Sequence, residues 1–194
     1  MKKRLLETAL LLVLVTVSPA PAEEGPECPP PPRVKRGLQV RTALGVSGWT
    51  GSIGSNSRPG LGFLFSTGYE LFSFLAMEAS WTSALHDADQ PYPPAPGGFS
   101  VYSLQGGVRL SLPLEPLDVF LRGGVGWTWM EPDVLVRVEK LPLEPTFGWH
   151  AGAGLFWHTP LRGFFVGAEA ACHGFPSLSD LWLVGGLVLG VTLP

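Results

Sequence analysis

Charge is scarce in this 194-residue chain. Lys, Arg, Asp and Glu make up 15% of it, 13 basic against 16 acidic residues, for a net charge of −3. That balance offers no basic footprint for nucleic acid. Cysteine is nearly absent: only Cys28 and Cys172 occur. An exported chain could pair them, but the topology derived below sets them at opposite ends. Long apolar runs are missing too. Beyond the N-terminus none reaches the ~18–20 residues of a transmembrane helix, although mean hydropathy is +0.24. Histidine is sparse. His150 and His158 share a face but lie roughly 26 Å apart along an extended strand, too far for one metal, and neither His86 nor His173 joins a ligand cluster. No metal and no cofactor is expected.

Glycine (25) and proline (20) are abundant, and aromatics reach 11%. At the N-terminus, Lys2, Lys3 and Arg4 precede an apolar run over residues 10–17, and Ala20-Pro21-Ala22 supplies a small-x-small pattern. Residues 1–22 therefore read as a cleaved secretory signal peptide, with Glu23 the first mature residue. Residues 23–36, with Pro26 and prolines 29–32, favour extended polyproline conformations and read as a Pro-rich periplasmic tether. Gly25-Pro26-Glu27 before Cys28 lacks the Leu and small residues of a lipid-attachment motif.

From Gly37 onward the apolar period is two. In residues 38–47, Leu38, Val40, Thr42, Leu44 and Val46 share one face, and Gln39, Arg41, Ala43, Gly45 and Ser47 the other. The pattern recurs over 61–70, 75–82, 102–112, 119–129, 147–158, 164–171 and 183–193. One face is bulky and apolar; the opposing face is small or charged. That is inside-out for a soluble barrel. Lipid takes the bulky face, and a narrow lumen takes Gly, Ala, Ser and a few charges. About ten residues suffice to cross the hydrocarbon as a tilted strand. Closure leaves no unpaired backbone edge in lipid.

Connection lengths alternate. Residues 50–60, 86–98 and 130–145 form long connections, 71–74, 113–118 and 159–163 short ones, and 174–180 an intermediate one. Bacterial outer-membrane barrels place short turns in the periplasm and longer loops outside. On that orientation Trp81, Trp127, Trp129 and Trp149 fall at the outer interface. Trp157, Tyr69 and Phe164 fall at the inner one, as two aromatic girdles. Trp49 and Trp182 have lumen-side parity and stay unassigned.

Across residues 37–194 these features resemble the small outer-membrane β-barrel family of OmpA/OmpX-like proteins. The resemblance implies an all-β fold, an eight-stranded antiparallel up-and-down transmembrane β-barrel. It also implies a place in the bacterial outer membrane among lipid and lipopolysaccharide, and insertion by the barrel-assembly machinery. Family members usually end in an aromatic residue; here Leu193-Pro194 stands instead.

Arg41, Arg109 and Arg122 share lumen parity with Glu70, Glu78 and Glu169. Buried charges are costly unless paired, and the planar Arg fork suits carboxylates, so a neutral network plugging the lumen is expected. No catalytic set appears. Lipid A deacylases pair a His-x-Ser motif with a Glu, and none of His150, His158 or His173 has Ser two residues on. The run Gly123-Gly124-Val125-Gly126 sits inside a strand pattern with no following helix, so it is no phosphate loop. Recognition lives on loops: residues 86–94 are Pro-rich and acidic, and 134–140 alternate within the third long loop. The reading is a non-enzymatic outer-membrane barrel with a structural or surface-interaction role and a surface ligand at the extracellular loops. A narrow passive channel and a membrane-embedded lipid-modifying enzyme are the alternatives. A soluble ligand-binding barrel would need the two faces reversed.

Overall fold

A computed structural model describes residues 37–88, 98–132, 145–161, 163–176 and 179–193. The signal peptide, the tether with Cys28, positions 89–97 and 133–144 of the second and third long loops, and Pro194 lie outside the described residues.

Eight strands follow in chain order: β1 (Leu38–Trp49), β2 (Gly60–Phe72), β3 (Leu75–Asp87), β4 (Gly98–Leu114), β5 (Leu117–Pro132), β6 (Thr146–His158), β7 (Phe164–Gly174) and β8 (Trp182–Leu193). One short helix, α1 (Gly51–Ser55), sits between β1 and β2. Each strand pairs antiparallel with its sequence neighbour, and β1 closes on β8 from Leu38↔Leu193 to Trp49↔Trp182. The result is an up-and-down transmembrane β-barrel in which every strand has two partners, so no edge is left to lipid.

The two faces sort by side chain. Leu44 (63% exposed), Leu187 (75%), Leu121, Leu155 and Val125 point outward, while Arg41, Ser66, Ser103 and Thr128 are buried within. Reversing the register by one residue would swap these sets and place charge in hydrocarbon. Short turns cluster at one end and are cross-tied: Ser111 N–H donates to Phe74 O at 2.9 Å, and Thr192 N–H to Gly163 O at 2.7 Å. Gly163 adopts φ +79°, a left-handed conformation that favours glycine.

The strands run further toward the long-loop end than the alternation indicates. β3 extends to Asp87, so His86 belongs to a strand and is buried in the lumen. β7 extends to Gly174, and β1 and β8 take in Trp49 and Trp182. There the inward residues are Ala84, Phe99, Val101 and Met130. The bulky-outside, small-inside contrast fades while the ladder continues, which is why the sequence pattern ends early.

Candidate functional site

The structure gathers all six lumen-parity charges into one cluster, contributed by β1, β2, β3, β4, β5 and β7. Arg41 Nη1 and Nη2 donate to Glu78 Oε1 and Oε2, each at 2.7 Å, a bidentate pair. Glu78 Oε1 also lies 2.9 Å from Arg109 Nε, so one carboxylate serves two guanidiniums. Arg122 Nη2 donates to Glu169 Oε1 at 3.3 Å, and Arg41 Nε lies 3.9 Å from Glu169 Oε2. Arg109 lies 3.7 Å from Glu70. Gln39 completes this last link. Its amide donates to Glu70 at 2.7 Å, and its carbonyl accepts from Arg109 Nη2. Sequence reasoning missed Gln39, although its position on the inward face was the available signal.

This cluster packs against phenyl rings. The guanidinium carbons of Arg41 and Arg109 sit 5.4 to 5.8 Å from the centroids of Phe120 and Phe156. Phe120, Phe156 and Phe165 join Leu64, Ala43 and Val188 in a buried apolar group inside the barrel. The inward face is thus richer in bulky residues than the expected small-or-charged set. Glycines opposite them make room. A Cβ on Gly154 would lie 2.5 Å from Phe120 Cζ, and one on Gly190 would lie 2.2 Å from Phe165 Cζ. A void beside Arg122 and Glu169 measures about 10 Å³, room for roughly one water.

A second layer caps the long-loop end. Trp49 stacks on Trp182 and Phe175 at 6.1 and 6.0 Å, with Ile53 of α1, Phe99, Val101 and Met130 around them. These are the two tryptophans that parity left unassigned. Trp182 Nε1 donates to Ser47 Oγ at 2.6 Å, Ser47 lies 2.9 Å from His86 Nε2, and His86 Nδ1 lies 3.1 Å from Arg58 O. Ser47 and His86 stand in hydrogen-bond order for a nucleophile and its base. Both are at most 2% exposed, however, and the Trp182 indole occupies the serine oxygen, so no substrate reaches that atom in this conformation.

Asp180, just before β8, pins α1. Its Oδ2 accepts from Ile53 N–H at 2.7 Å and from Ser52 Oγ at 2.9 Å. Burial pushes this carboxyl upward, but the Ile53 and Ser52 donors outweigh it and hold the group below its ordinary range. At the short-turn end Asp118 and His158 approach to 2.8 Å.

The seven outward aromatics all face away from the lumen. Phe63, Trp81, Tyr102 and Trp129 form a ladder across β2 to β5, with centroid steps of 5.9, 6.3 and 5.8 Å. Trp127 meets Phe147 edge-on at 5.6 Å. Trp149 lies over Gly174, where a Cβ would meet its indole at 2.4 Å. Tyr69, Trp157 and Phe164 are exposed near the short turns, where Phe72 and Phe74 also stack at 5.6 Å. Cys172 is a half-buried free thiol on the outer wall. Among the described residues no group of three or more His, Cys, Asp or Glu is placed to hold a metal.

A closed eight-stranded barrel with an apolar exterior and a charged interior has the fold of the small outer-membrane β-barrels. Solved structures of that class match about four fifths of this chain over nearly their whole length. Neisserial surface protein A superposes with a TM-score of 0.63 at 14% identity, covering 80% of this chain and 97% of its own. Ail, the attachment invasion locus protein of Yersinia pestis, solved with the heparin analogue sucrose octasulfate, gives 0.56 at 14%, covering 82% and 100%. OprG from Pseudomonas aeruginosa gives 0.53 at 10%, covering 82% and 95%. No protein-family model and no curated protein matches the chain.

Proposed function

We propose that this chain is an integral protein of the bacterial outer membrane with a structural or surface-interaction role, its lumen closed to solutes. The observation that carries this reading is the filled interior. The Arg–Glu cluster packs on Phe120 and Phe156, and the Trp49–Trp182–Phe175 layer lies across the long-loop end. On this reading the signal peptide (1–22) is removed and the tether (23–36) lies in the periplasm. The barrel-assembly machinery inserts residues 37–194 among lipid and lipopolysaccharide. The outward aromatics act as interfacial girdles. The long loops then present the surface to any ligand; Ail, of like fold, forms a complex with the heparin analogue sucrose octasulfate.

Reconstitution in a planar bilayer tests the closed lumen. The unaltered protein is expected to give a silent trace under conditions where a porin gives steps. Discrete single-channel steps would sink the reading. Deleting residues 89–97 or 133–144 tests the surface role. Adhesion to host cells should fall while heat-modifiable gel mobility, the mark of a closed barrel, is kept. Unchanged adhesion in both deletions would leave the structural role alone.

A further inference from the structure

Spacing along the sequence sets His150 against His158, too distant to share an ion. The barrel seats His150 of β6 directly opposite His173 of β7 instead. Their ring centroids are 6.0 Å apart. Both side chains are more than nine-tenths buried, and His150 Nδ1 and His173 Nε2 have no hydrogen-bond partner. A buried nitrogen without a partner carries its full desolvation penalty. Two of them on facing residues call for a physical cause.

We propose that this pair is a binding site for a monovalent d10 metal ion, Cu(I) or its redox-inert mimic Ag(I), held between the two imidazoles inside the lumen. Reach permits it. An imidazole nitrogen binds a metal at ~2.0–2.1 Å, which places the ion about 3.2 Å from the ring centre. Two rings that each aim a nitrogen at one ion hold their centres up to roughly 6.4 Å apart; the pair, stacked with its planes 29° apart, meets that span by turning about its side-chain torsions.

Donor number and charge select the ion. No third His, Cys, Asp or Glu joins the pair among the described residues. Zn²⁺ and Ca²⁺ want four or more ligands; a d10 monocation is content with two. Burial cost grows with the square of an ion's charge, so a monocation enters a water-poor lumen far more readily than a dication. The Arg122 guanidinium lies within electrostatic range of both rings, which again favours the smaller added charge.

Two neighbours complete the site. The Gln105 amide lies 2.7 Å from His173 Nδ1. Turned over, its carbonyl accepts Nδ1–H and leaves Nε2 for the ion, the usual outer-shell support of a metal-bound histidine. The Trp182 ring sits 4.5 Å from His173, flanking the site with apolar surface.

The test uses the full mature chain refolded in detergent with Cys28→Ser and Cys172→Ala, so that no thiol competes. Refolding in the presence of Ag(I) should trap one ion per barrel, and refolding with Zn²⁺ should trap none. His150→Gln and His173→Gln should each weaken Ag(I) binding at least tenfold, while His158→Gln leaves it unchanged. Absence of Ag(I) binding, or binding that survives both pair variants, overturns the proposal. Should a variant lose heat-modifiable mobility, X-ray absorption on the Cu(I)-loaded parent decides. Two nitrogen ligands without sulfur support the site. Sulfur ligation, by Met77 or Met130, overturns it.

Discussion

Glu78 is the most heavily used carboxylate in the lumen. It accepts two hydrogen bonds from Arg41 and lies against Arg109 Nε. Removing its charge leaves two buried guanidiniums short of a partner, a loss of roughly 3–5 kcal/mol. Glu70 lies 3.7 Å from Arg109, farther than Glu78 does, and accepts from the neutral Gln39 amide. Glu70→Gln should therefore cost about 1 kcal/mol. Urea unfolding of the refolded barrel ranks the two variants, and equal losses would mean that the network does not concentrate on Glu78. Glycines give a second residue-scale contrast. Gly190→Ala drives a methyl into the Phe165 ring, so a cost of roughly 1–3 kcal/mol is expected. Gly106 faces outward with nothing within 4 Å of its Cβ position. Gly106→Ala should be neutral or gain up to ~0.5–1 kcal/mol by reducing backbone freedom in the unfolded chain. A loss at Gly106 as large as at Gly190 would refute the face assignment. The charges were legible because parity is a local property: Arg109 sits between outward-facing Val108 and Leu110, Arg41 follows Val40, and Arg122 follows Leu121. Which Arg meets which Glu was not legible, because it depends on the stagger between strands and on a neutral residue, Gln39.

At the scale of elements, α1 shows what alternation cannot report. Five residues, Gly51–Ser55, make too short a helix to register in a sequence whose dominant period is two. Its placement comes from across the barrel mouth, through Asp180 on the β7–β8 connection. Thr50 and Leu181 hold the same junction, with Thr50 N–H donating to Leu181 O at 2.9 Å. The Asp180 carboxyl is held below its ordinary range, so its contribution to folding is complete above the unfolded value, near 3.9. That contribution is lost as pH falls through the lower folded value. Asp180→Asn should lower the unfolding midpoint at pH 7 and lose its effect in strong acid, where the parent carboxyl is protonated as well. Unfolding scans of both proteins from pH 7 to pH 2 check this, and a gap that persists at pH 2 would show that the charge is not what clamps α1. Strand existence was readable across the whole barrel. Strand ends toward the long loops were not, since Ala84, Phe99, Val101 and Met130 put apolar side chains on the inward face there.

For the molecule as a whole, the closed-lumen proposal sets two barriers in series. The Arg–Glu cluster with its phenyl rings is one, and the tryptophan layer at the long-loop end is the other. The two share β1, β3, β4 and β5 but differ in physics: the first would exclude solutes by paired charge, the second by apolar packing. Flow through barriers in series is governed by whichever one holds. Trp182 is fully buried, stacks on Trp49, packs at a tilt against His173, and anchors Ser47 through its indole N–H. Trp182→Ala should cost about 3–5 kcal/mol through the cavity it leaves, yet the bilayer trace should stay silent because the charged barrier is intact. Arg41→Ala with Glu78→Ala should likewise stay silent, because the tryptophan layer is intact. Only the triple variant should conduct, and its small steps should be scored on protein that still shows heat-modifiable mobility. Conductance in Trp182→Ala alone would mean that the charged cluster is no barrier. Silence in the triple variant, with the fold kept, would place the closure in the Phe120–Phe156–Phe165 group instead.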